Sequence, residues 1–117
     1  MYTEIDTPSV LIDTKIAKSN INKYQTYCTE KGLNLRPHIK THKLPYFANL
    51  QIDAGAVGIT CQKVSEAEAM LDGDLDHSIK NILLSYNILG RSKLERLKRI
   101  SERVKLSVVA DNIECIE

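Results

Sequence analysis

Residues 33–40 bring together the side chains with the most chemistry to offer. The odd positions Leu33, Leu35, Pro37 and Ile39 are apolar, and the even positions Asn34, Arg36, His38 and Lys40 are polar. Side chains alternate across a strand, so the run reads as a strand with one apolar face. The other face presents an amide, a guanidinium, an imidazole and an amine. On an antiparallel sheet such a face is simply wet, whereas a sheet covered on both sides must satisfy it internally or end it in a site. Lys40 closes the run. Partial burial, or cations such as Arg36 and His38 nearby, would disfavour its ammonium form. A neutral amine can attack an aldehyde and form a Schiff base. Lys43 follows three residues later, so spacing alone does not choose between the two lysines.

The elements that must position this strand alternate along the chain. Residues 8–13 read as a strand, and Asp13 or Thr14 can cap a helix that Lys31-Gly32 ends. After the strand at 33–40 comes a helix over 44–54 with Pro45 in its first turn. A nearly continuous apolar strand follows at 56–62. Ser65 and Glu68 fit a capping box for the next helix, with Val64, Ala67 and Leu71 facing inward. Residues 72–78 are acidic and turn-forming. A strand over 80–87, a helix opened by a second capping box at Ser92 and Glu95 and carrying Leu94, Leu97 and Ile100, and a strand over 104–110 complete the pattern. Asp111-Asn112 would begin another helix.

This rhythm predicts an α/β fold of parallel βα units. A barrel of eight such units needs about 250 residues, and the chain has 117. Residues 1–117 are therefore read as about the first half of a (β/α)8 barrel, four to five units. Sites in such barrels lie at the C-terminal strand ends, where Lys40 falls. Pyridoxal phosphate is the commonest biological aldehyde held by a lysine, and it serves as an electron sink for carbanion chemistry.

Composition narrows the classes. Sixteen basic residues against fifteen acidic ones give a net charge of +1, with no field that favours nucleic acid. No apolar run suits a membrane span, and the first residues lack the pattern of a secretory signal. Cys28, Cys61 and Cys115 form neither a metal motif nor a disulfide framework. A soluble, reduced, cytoplasmic protein is the expectation. No glycine-rich phosphate turn follows any strand.

Four stretches resemble the D-threonine aldolase and D-serine dehydratase family, fold-type III pyridoxal phosphate enzymes with an alanine racemase-like N-terminal barrel. They are residues 6–13 (DTPSVLID), 35–43 (LRPHIKTHK), 55–68 (GAVGITCQKVSEAE) and 81–90 (NILLSYNILG). The resemblance implies that Lys40, the first lysine of its motif, binds the cofactor, and that Lys43 does not. It implies a lyase acting on D-3-hydroxy amino acids, by retro-aldol cleavage to glycine and an aldehyde or by dehydration to a keto acid and ammonia. It further implies a homodimeric full-length protein and a divalent metal whose ligands lie in a C-terminal β-domain outside this chain. The alternatives are a non-catalytic barrel that binds pyridoxal phosphate and an inactive truncated fragment.

The site expected from this reading has Lys40 and His38 as catalytic residues, and Lys40, Gln62 and Arg36 as cofactor contacts. His38 could tune the cofactor or relay a proton, or be structural. Gln62 ends its strand level with Lys40. Arg36, two residues deeper, could instead pair with a carboxylate. Thr41 and His42 would line the mouth or cap the next helix, and one of Tyr86 and Asn87 would face the site. Asp111 reads equally as a cap. Lys63 and the basic run Arg91, Lys93, Arg96, Lys98, Arg99 and Arg103 read as solvated, with Glu95 and Arg99 at pairing distance. His77 has no partner in view. Cys61 reads as inert packing, and Cys28 and Cys115 as unreactive helix residues.

Overall fold

The structure, a computed structural model, describes residues 4–116; residues 1–3 and 117 and the side chain of Cys115 lie outside the described residues. The expectation for Cys115 and the reading of the first three residues therefore fall outside it. Three parallel strands lie side by side in chain order: β1 (Ile59–Cys61), β2 (Asn81–Asn87) and β3 (Lys105–Val109). Ile59 registers with Ile82, and Leu84 with Val108. The helices are α1 (Thr14–Glu30), α2 (Pro45–Asp53), α3 (Val64–Asp72) and α4 (Arg91–Ser101). Parallel neighbours require a crossover, and α3 and α4 supply it.

Local chemistry sets the helix ends. Asp13 Oδ1 accepts from the N–H groups of Lys15 and Ile16 at 2.9 and 3.1 Å, capping α1. At its other end Gly32 takes φ 64°, which lets the Leu33 N–H reach Cys28 O at 2.8 Å. The capping boxes expected for α3 and α4 do not form. Lys63 and Gly90 hold the N-cap positions, which puts Ser65 and Ser92 inside the first turn, where they cap nothing. Glu95 pairs with Arg91 at 3.2 Å rather than with Arg99.

The core lies between the sheet and α2, α3 and α4. Ile39, Ile59, Cys61, Ala67, Ile82 and Leu84 are fully buried, joined by Val64, Met70, Leu71, Ile79 and Ile100. Burying an Ile or Leu side chain contributes about 1.5–3 kcal/mol, so this cluster dominates the stability of the fold. Leu94, expected on the inner stripe of α4, is half exposed, and Leu97 only packs against the margin of the core.

Two expected strands are corrected. Residues 8–13 join no ladder, and Val10, Leu11 and Ile12 are exposed. A strand exists only through a partner, and in the 33–38 segment the backbone bonds of Leu35 and Pro37 go to Val57 and Thr60. That segment is extended but forms only an isolated bridge, His38 with Thr60. Pro37 has no N–H to give. The contacts therefore run through carbonyls, with Val57 N–H donating to Leu35 O at 2.9 Å and Thr60 N–H to Pro37 O at 2.8 Å. The run also stops early, because Ile39–Thr41 wind into a 3-10 turn. The helix expected after Asp111 is a short 3-10 turn at Ile113–Cys115.

Candidate functional site

The 3-10 turn at Ile39–Thr41 decides where Lys40 sits. His38 Nδ1 accepts from the Lys40 N–H at 3.2 Å, which caps the turn, and Ile39 is wholly buried as its anchor. Lys40 is thereby held just past the C-terminal end of the extended segment, and its side chain is exposed. Among the described residues Lys40 Nζ has no ion-pair partner. Burial and the positive charge of Lys40 hold the His38 imidazole below its ordinary pKa, with Glu66 opposing. Since Nδ1 is the acceptor, neutral His38 carries its proton on Nε2.

Lys43 is in a different position. Its backbone turns back at φ 52°, and Nζ lies 3.4 Å from Glu66 Oε1. The other oxygen of that carboxylate accepts from the Gln62 N–H at 2.9 Å. Glu66 is only 8% exposed. Burial opposes its charge, but the Gln62 N–H, Lys43 and Lys63 outweigh it and hold the carboxyl below the usual range. Glu66 thus bridges the Lys40–Lys43 loop and the turn that follows β1. Sequence reasoning assigned it no role, because an acidic residue in the first turn of a helix ordinarily reads as a partner of the helix dipole.

The other expected residues separate into groups. Gln62 lies immediately past β1 and lines a cavity of about 350 Å³ with Lys63, Ser65, Tyr86, Lys93 and Arg96. This cavity lies at the C-terminal ends of β1 and β2, and of the pair Tyr86 and Asn87 it is Tyr86 that lines it. Arg36 points toward the opposite end of the sheet: Nη1 donates to Asn81 Oδ1 at 3.0 Å, at the start of β2. Its expected carboxylate partner is an amide. Arg36 and His38 also border a second cavity of about 480 Å³, against α1. His42 serves the start of α2, accepting from the Leu44 N–H at 3.1 Å and meeting Phe47 edge-to-face. Arg96 pairs with Glu68, which joins α4 to α3, and Arg103, just past α4, pairs with Asp72 at 2.8 Å. His77 donates its N–H to Asp74 O. Among the described residues no group of three or more His, Cys, Asp or Glu gathers to hold a metal, and no helix is long and apolar enough to cross a membrane.

No family model matches. The chain is 37% identical over 108 residues to a D-threonine aldolase of Arthrobacter sp, covering 92% of this chain and 27% of that protein. It is 34% identical over 116 residues to a 3-hydroxy-D-aspartate aldolase of Paracoccus denitrificans, covering 97% and 29%. The crystal structure of a D-threonine aldolase from Filomicrobium marinum superposes with a TM-score of 0.90 at 39% identity, over 98% of this chain and 30% of that one. In sequence and fold the chain matches a fragment of the D-threonine aldolase and D-serine dehydratase family. It spans less than a third of the length of these relatives. Its parallel α/β fold matches part of the barrel domain of that family, and a D-serine dehydratase of Schizosaccharomyces pombe is 26% identical over 111 residues, 93% of this chain and 26% of that protein.

Proposed function

We propose that this chain carries the aldehyde-binding end of a pyridoxal phosphate site in a lyase for D-3-hydroxy amino acids. The observation that carries this reading is the contrast between two lysines. Lys40 Nζ is exposed and has no ion-pair partner among the described residues, while Lys43 Nζ is engaged by Glu66. The donor set suits the cofactor's aldehyde end: a primary amine for the carbonyl carbon, an Nε2–H on His38, and the Gln62 side chain at the neighbouring strand end. When bound, the cofactor would supply an electron sink for the carbanion left by bond cleavage at Cα.

The residues of the chain have distinct tasks in this scheme. Lys40 would hold the cofactor aldehyde, and its Nζ would be the group that takes a proton, from the substrate Cα in dehydration or from the β-hydroxyl in retro-aldol cleavage. His38 fixes the Lys40 backbone through Nδ1 and offers Nε2–H to an oxygen that gains charge. Gln62 orients a polar group at the mouth of the site. Arg36, proposed from sequence as a cofactor contact, acts from below by tying the extended segment to Asn81.

Mixing the protein with pyridoxal phosphate and D-threonine tests the reading. Acetaldehyde and glycine mark the aldolase, and 2-oxobutyrate and ammonia mark the dehydratase. Lys40→Ala is expected to abolish either pair. Product formation that survives Lys40→Ala contradicts the assignment. Cofactor binding without turnover supports a second reading, a barrel piece that holds the cofactor but needs the rest of the enzyme; the chain's short span of its relatives favours it.

A further inference from the structure

We propose that Glu66 is a positioning residue that sorts the two lysines of the site, tethering Lys43 so that Lys40 is the amine that meets the aldehyde. This rests on the reading of Lys40 given above, but the tether itself stands on geometry. Lys40 and Lys43 flank one short turn, and each carries a primary amine on a four-carbon stem. Lys43 Nζ lies 3.4 Å from Glu66 Oε1, and Glu66 Oε2 holds the Gln62 N–H at 2.9 Å. Because the carboxylate is nine-tenths buried at the start of α3, it cannot swing out to follow an exposed lysine. The lysine must come to it. Lys43 Nζ is there, on a backbone with φ 52° whose N–H closes the turn onto Ile39 O at 2.8 Å. The groups around the carboxylate are Lys43, Lys63, the Gln62 N–H, Cys61 and, farther off, His38. Its depressed pKa keeps the tether charged at neutral pH.

The chemistry explains why a tether matters. A neutral amine adds to the carbonyl carbon, the C–N bond becomes C=N, and the carbonyl oxygen leaves as water with both amine hydrogens. An amine that pairs with a buried carboxylate must leave that carboxylate unpaired to react. Lys40 has no such obligation. Glu66→Gln keeps an acceptor for the Gln62 N–H but removes the charge that holds Lys43.

The test uses two labels on the intact chain, with the fold of each variant checked by circular dichroism. Pyridoxal phosphate followed by borohydride, which delivers hydride to C=N, fixes the label for peptide mapping. The unaltered protein should carry it on Lys40, and Glu66→Gln should shift the Lys43-to-Lys40 ratio upward by about fivefold, the most that a partly exposed pair sustains. Trace acetylation without cofactor should show Lys43 about threefold to fivefold more reactive in the variant, again from loss of that pair. If Glu66→Gln does not fold, high salt on the unaltered protein should raise Lys43 acetylation relative to Lys40. An unchanged Lys43-to-Lys40 ratio in both labels overturns the tether while leaving Lys40 as the cofactor residue. A changed acetylation ratio with no cofactor label on either lysine supports the tether and removes the cofactor reading.

Discussion

Asp74 gives the sharpest test of how the sheet is held in register. It is 2% exposed, and its carboxylate accepts from Asn49 Nδ2 at 3.0 Å, from the Ser78 N–H at 3.0 Å and from the Ile79 N–H at 2.8 Å. It thereby ties α2 to the loop that delivers β2 at Asn81, the residue that holds Arg36. Asp74→Ala leaves three donors without their acceptor. Ile79 is buried, and orphaning a buried donor costs about 1–3 kcal/mol. Ser78 and Asn49 are half buried, and water replaces part of what they lose, leaving about 0.5 kcal/mol each. The expected loss is about 2–4 kcal/mol, a large share of the roughly 5–15 kcal/mol available to a domain. Asp74→Asn keeps one oxygen acceptor but turns an amide toward donors, so about half the loss is expected. Urea unfolding followed by far-ultraviolet circular dichroism reads both, with midpoint and slope fitted together. An alanine variant within about 0.5 kcal/mol of the parent, or an asparagine variant no better than alanine, refutes the reasoning.

Three further outcomes follow from the structure. Gly58 has φ 155°, and a Cβ there would sit 2.5 Å from Asn81 O and 2.6 Å from Arg36 Nη1; Gly58→Ala should cost about 2–5 kcal/mol in urea unfolding, from strain plus overpacking. Burial pushes the Cys61 thiol up to about 12 with help from Glu66, so native protein should leave Cys61 unlabelled by a disulfide reagent at pH 8, and unfolding should expose it. His42 is held below its ordinary 6.5 by burial, with neighbouring Gln51 opposing, although its Oε1 makes no well-aligned bond to Nε2. The folded state then binds fewer protons than the unfolded one, so this stabilisation is full above pH 6.5 and is lost as pH falls through the folded value. His42→Asn should flatten that slope in urea midpoints measured against pH.

Much of the framework was legible from local signals. Asp13 and Lys31-Gly32 marked both ends of α1, Pro45 marked the start of α2, and the apolar run at 80–87 marked β2. Failures came where a residue's neighbour in space decided its state. The apolar pattern of residues 8–13 suits a strand, but no ladder partner is offered to it. The alternation in 33–40 did not become two faces, because Leu33 is exposed and residues 35–38 are all half-buried, and the 3-10 turn at Ile39–Thr41 ends the extended run before Lys40. The capping boxes matched a sequence pattern, but each helix began two residues too early to use them. The placement of His38, Lys40 and Gln62 at or just past the ends of their segments followed from strand parity and strand ends. Arg36 shared that parity but is drawn to the other end of the sheet by Asn81. Glu66 was invisible because its role depends on Lys43, a residue that no periodicity links to it.

Lys40 is proposed as the amine of the site. The most direct test is a titration of the protein with pyridoxal phosphate, followed by visible absorbance before and after borohydride, beside Lys40→Ala and Lys43→Ala. The account predicts a saturable, borohydride-sensitive band that persists in Lys43→Ala and vanishes in Lys40→Ala. A band that survives in a folded Lys40→Ala variant, or one that vanishes only with Lys43, contradicts it.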